Sequence, residues 1–60
     1  MTPREADKII KAGQPVTVRN TVWNEQFTVV FVGRDRWNMF TDQGGVMDRG
    51  ELVVVPPQDG

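Results

Sequence analysis

The sequence predicts an α+β chain, mainly β, in which an N-terminal helix precedes five short antiparallel strands. Helix start and stop signals crowd the residues up to Gly13, the apolar period changes to two after Pro15, and three successive turns keep one strand face apolar. Sixty residues make one small domain, expected over residues 1–55, with 56–60 as a flexible tail that its prolines keep out of a strand ladder. A chain of this size buries only about 60% of its unfolded surface, and its core supplies roughly 3–5 kcal/mol. Every large apolar residue therefore counts.

The helix is expected at about residues 3–12. Thr2 is the N-cap, Pro3 takes the first helical position, Glu5 completes a T-x-x-E capping box and Gly13 stops the helix. At 100° per residue Ala6, Ile9 and Ile10 share one arc, and Arg4, Lys8 and Lys11 share the opposite, solvated one. A helix this short is marginal alone in water, so its Ile face must dock.

Strands are expected at about 15–23, 26–33, 37–42, 45–47 and 52–55. Val16, Val18 and Val22 share a parity in the first, as do Phe27, Val29 and Phe31 in the second. A turn at Asn24-Glu25 pairs Val22 with Phe27 and Val18 with Phe31. It also puts Asn20 opposite Val29, which suggests a bulge near Asn20. A turn at Arg34-Asp35-Arg36 pairs Gly33 with Trp37 and Phe31 with Met39, making Trp37 a core residue over the bare glycine. A third, at Gln43-Gly44, pairs Thr41 with Val46. Since a one-residue slip inverts a strand, this register specifies a meander with one apolar face.

Five short strands with a one-turn break at Asp48–Glu51 before the last one resemble an SH3-like small barrel, in which the final strand closes on the first. The resemblance is architectural. The paired tyrosines of an SH3 proline-binding surface are missing, because the chain has no Tyr. A strongly curved open sheet with the helix across one face is the other architecture that fits.

On the outward face the register places Val30 opposite Phe40 and Phe40 opposite Met47, with Val32 beside them. Contiguous apolar residues on a wet surface mark an interface. Either the helix covers them with Ala6, Ile9 and Ile10, or a partner protein or second copy does. Trp23, on the opposite parity from Val22, is either a packed edge aromatic or a binding anchor. Arg19, Trp23, Arg34 and Arg36 form the one grouping suited to nucleic acid, since guanidiniums and indoles contact phosphates and stack on bases. Asp35 halves the charge of that loop, and a solvated turn is the reading that accounts for it better.

Composition excludes several chemistries. With no Cys, His or Ser, the chain has no thiol nucleophile, disulfide, Cys/His zinc site or imidazole base. The carboxylates Glu25, Asp35, Asp42, Asp48, Glu51 and Asp59 show no spacing that singles out a pair. Asp42-Gln43-Gly44-Gly45 lacks both the alternating ligands of a calcium loop and the Lys of a phosphate loop, and a chain this short has little room for a pocket of roughly 300–1,000 Å³. No enzyme, metal or cofactor is expected. Residues 1–36 carry six basic against four acidic side chains and residues 37–60 one against four, for a total of -1, so neither half demands nucleic acid. The apolar run Val29–Val32 is far short of the roughly 20 residues of a membrane span, and a cytoplasmic setting is expected.

The function expected is that of a non-catalytic binding or regulatory module. Its partner-binding residues are Val30, Val32, Phe40, Met47 and Trp23, and its partner is another protein or a second copy. Compact Cys-free chains of this kind resemble accessory products of phages and mobile elements in size and style. The alternatives are a small nucleic-acid-binding barrel using Arg19, Trp23, Arg34 and Arg36, and a structural subunit of a larger assembly.

Overall fold

A computed structural model describes residues 1–56, so all of the expected tail but Pro56 lies outside the described residues. It contains α1 (Pro3–Ala12), β1 (Val16–Asn20), β2 (Glu25–Val29), β3 (Phe31–Arg34), β4 (Asn38–Thr41), β5 (Val46–Asp48), a 3-10 turn at Arg49–Glu51 and β6 (Leu52–Val54). The fold is α+β and mainly β, with six strands rather than five, because the expected second strand breaks at Val30 into β2 and β3. The strands form two antiparallel sheets, β2-β1-β6 and β3-β4-β5. The last strand does pair with the first, but the two sheets do not close into one barrel. Among the described residues no helix is long and apolar enough to cross a membrane.

The helix forms as its signals require. Thr2 Oγ1 accepts from the Glu5 N–H at 3.1 Å, Glu5 Oε1 accepts from the Thr2 N–H at 3.1 Å, and Gly13 ends the helix in the left-handed region at φ 66°. Ala6 is fully buried in a core with Val18, Phe31, Met39 and Leu52, and Ile9 and Ile10 pack at its margin. The helix therefore lies against the inward face, packed on β3, and does not cover the outward patch. Its small residue, Ala6, faces the core, and the Ile pair lies half-buried beside it.

All three turns depart from expectation in length or position, and each difference has a local cause. Between β1 and β2 four residues, Thr21–Asn24, make the turn, and Asn20 pairs with Glu25. Asn20 Oδ1 accepts from the Val22 and Trp23 N–H groups at 3.0 and 2.9 Å, and Asn24 takes the left-handed φ of 53° that asparagine tolerates. There is no bulge at Asn20. Val18 now faces Phe27 in place of Phe31; the slip of four residues is even, so the apolar face is kept, but Val22 moves into the turn and is exposed. Between β3 and β4 Asp35 closes the turn, its Oδ1 accepting from the Trp37 and Asn38 N–H groups at 2.8 and 2.7 Å. Trp37 is left at the turn, 65% exposed, and is no core residue.

Between β4 and β5 the turn is Asp42–Gly44, with Gly44 left-handed at φ 83°. That is one residue longer than expected, and an odd slip inverts β5. Met39 pairs with Met47 and Phe40 with Val46. Met47 thus packs on the core and leaves the predicted outward patch, where Val46 takes its place. Gly45 is needed opposite Thr41, because a Cβ there would stand 2.9 Å from Thr41 Oγ1, which accepts from the Gly45 N–H at 2.8 Å.

Ala6→Leu should cost about 1–3 kcal/mol of stability, the usual penalty for overfilling a closed core. Ala12→Leu, at an exposed position of the same helix, should change it by less than about 0.5 kcal/mol. Urea unfolding of both variants separates helix docking from helix propensity, and equal effects would refute the docking described here.

Candidate protein-interaction surface

The outward face of the β3-β4-β5 sheet is built around a bulge. Phe31 pairs with Thr41, Gly33 with Phe40 and Arg34 with Met39, so Val32 and Gly33 together oppose Phe40. Gly33 lies 3.8 Å, measured from where a Cβ would be, from the Phe40 ring, which rests over the bare backbone. Val32 is 58% exposed, Phe40 half-buried and Val46, across from Phe40, 62% exposed. Of the residues expected in the patch, Val32 and Phe40 are brought together here. Val30 is half-buried at the break between β2 and β3, and its carbonyl accepts from the Asp42 N–H at 3.0 Å.

The bulge also decides the fate of Arg34. In a regular strand alternating from the buried Phe31, Arg34 would point outward; the extra residue turns it to the helix side. There its Nε and Nη2 meet Asp7 Oδ1 and Oδ2 at 2.6 and 3.1 Å. These side-chain hydrogen bonds, with the attraction of the two charges, hold Asp7 below the ordinary carboxylate range and raise Arg34. Asp35 is also held low, first by the backbone N–H of Trp37 and then by that of Asn38. Arg34 is thereby committed within the chain, whereas Arg36 lies over the Trp37 ring at 5.4 Å and Arg19 reaches Gln26 Oε1 at 3.5 Å. Of the four residues expected to meet nucleic acid, Arg34 is the one held in an ion pair, and Arg19, Trp23 and Arg36 are exposed.

Sequence reasoning missed the role of the 3-10 turn. Thr21 N–H donates to the Glu51 carbonyl at 2.8 Å and Asn20 Nδ2 to Glu51 Oε2 at 3.0 Å. From the other side Arg49 N–H donates to the Trp37 carbonyl at 2.7 Å and Arg49 Nη2 to the Arg36 carbonyl at 3.0 Å. The loops that carry Trp23, 72% exposed, and Trp37 are thus fastened to the same three residues. The signal was present in Asp48, whose carboxylate caps Gly50 N–H at 2.9 Å, but nothing in the spacing said what the turn would hold.

An open cleft of about 220 Å³ lined by Pro15, Val16, Thr17, Val54 and Val55 contains no acid or base. Among the described residues no group of three acidic, His or Cys side chains is placed to hold a metal. Searches of family models, curated proteins and solved structures return no match to this chain.

Asp7 and Asp35 have folded pKa values below the unfolded one of about 3.9. Their contribution is therefore complete above about pH 4 and is lost as pH falls through the lower folded values. Carboxyl NMR titration should place both below the ordinary range, and Arg34→Met should return Asp7, but not Asp35, to it. An unchanged Asp7 in that variant would dissociate its shift from Arg34.

Proposed function

We propose that this chain is a non-catalytic binding or regulatory module that occupies a protein partner's surface with the outward face of its second sheet. The observation that carries the reading is the position of the helix. It docks on the inward face, so Val32 and Val46 stay exposed beside the half-buried Phe40 on the other face of the sheet. Adjacent exposed apolar residues backed by a bulge are what a docking face requires. The placement of the carboxylates supports the non-catalytic part. Glu5 caps the helix, Asp7 binds Arg34, Asp35 and Asp48 close turns and Glu51 holds Asn20.

The architecture fits an open SH3-like sandwich. The bent β2–β3 segment serves both sheets, and a 3-10 turn precedes a final strand paired with the first. A cytoplasmic setting agrees with the lack of Cys.

Phe40→Glu should abolish capture of the partner from the native cell while leaving backbone circular dichroism and the unfolding midpoint close to wild type, because the half-exposed ring is not part of the core. Nuclease treatment separates the rival reading. Material lost on nuclease treatment and insensitive to Phe40→Glu would assign the chain to nucleic acid, and a wild-type interaction undisturbed by Phe40→Glu would remove the outward face from its function.

A further inference from the structure

The hydrogen-bond parity of β1 shows which strand edges remain open. Thr21 N–H donates to Glu51 and Val55 N–H to Thr17, so in this unbroken register the backbone groups of Thr17, Arg19 and Thr21 point to β6. Those of Val16, Val18 and Asn20 point to β2. Their partners in β2 are Val29, Phe27 and Glu25. It follows that the N–H and C=O groups of Gln26 and Thr28 point away from β1, to the side where no strand lies among the described residues.

The other edges are protected. On β6, Leu52 donates to the Arg49 carbonyl and accepts from the Met1 nitrogen, and Pro56 follows closely. β3 is bulged and packs on α1, and β5 is three residues long and ends in Asp48. These are the usual means by which natural sheets avoid edge pairing. β2 uses none of them within its span. It is five residues long without Lys, Pro or bulge, has one charge at its first residue, and packs beside β1.

We infer that β2 pairs with β2 of a second copy, antiparallel about a two-fold axis at Phe27, to give a continuous six-stranded sheet. The edge is self-complementary in this register. Gln26 comes opposite Thr28 of the second copy and Thr28 opposite its Gln26, which satisfies all the outward backbone groups with four hydrogen bonds. Phe27, half-buried in one chain, meets its own symmetry mate in a close, non-hydrogen-bonded pair, where aromatic contacts stabilise a sheet. Glu25 faces Val29, so no like charges oppose. The paired residues, Glu25–Val29, include none of Val32, Phe40 and Val46, so this inference stands independently of the partner-docking reading. A strand of about 17 Å gives less than the roughly 800 Å² per partner of a standard interface. The dimer is accordingly one that forms in the micromolar to millimolar range.

Sedimentation and amide exchange of the wild-type chain from about 20 µM to about 1 mM test it. The Phe27 and Val29 amides should be protected throughout, and those of Gln26 and Thr28 should gain protection in step with the dimer. Thr28→Pro removes a donor that the single chain does not use, and should weaken the dimer at least about tenfold. Gln26→Lys with Thr28→Lys sets like charges opposite one another and should do the same without a backbone change. A chain that stays monomeric at about 1 mM with Gln26 and Thr28 exchanging freely would overturn the inference. So would protection of these amides in the dilute monomer, a dimer that leaves them unprotected, or a β2 edge filled by a different chain.

Discussion

One extra residue at Val32–Gly33 decides which side of the second sheet Arg34 occupies, and so whether it meets Asp7 on the helix. Before the bulge β3 buries Phe31; after it, the strand presents Arg34 to Asp7 on α1. The same irregularity leaves two residues facing Phe40, one without a side chain and the other an exposed valine. A straight β3 would turn the guanidinium to solvent and separate it from Asp7. The bulge thus bears both on an ion pair to the helix and on the shape of the outward face.

The core is correspondingly spare. Ala6, Val18, Phe31, Met39 and Leu52 are its fully buried members, one each from α1, β1, β3, β4 and β6. Each of these elements contributes a single fully buried side chain, with Met1, Ile9, Ile10, Val16, Phe27, Val29 and Met47 filling in around them. Burial on this scale leaves little surplus over conformational entropy, so side-chain caps at Asn20, Asp35 and Asp48 contribute order that a larger domain would obtain from packing. Those caps also fix the positions of the exposed aromatic loops.

The helix was fully legible in the sequence, down to its cap and stop, because capping is local chemistry that Thr2, Glu5 and Gly13 carry by themselves. The inward parity of Val16, Val18, Phe27, Phe31 and Met39 was legible too, since a period of two survives an even slip. Turn length was not. Asn20 and Asp35 each close a loop by accepting backbone N–H groups two and three residues on, and such a residue reads in sequence as an interruption of a strand rather than its end. The error at Gly44 was odd, so it exchanged Met47 for Val46 on the outward face. The bulge had no sequence mark beyond Gly33, and the edge left at β2 followed from pairings no single strand reveals.

The exposure of both indoles changes how the molecule looks in ultraviolet light. Trp23 and Trp37 are wet in the folded chain, and there is no tyrosine. The emission maximum of the native state therefore lies close to that of the denatured one. A melt followed by fluorescence runs nearly flat while backbone dichroism reports cooperative loss of the sheets, and the disagreement between probes arises without any intermediate. The same property makes the native emission a quiet background. A blue shift then reports an indole passing out of water beneath something laid over it.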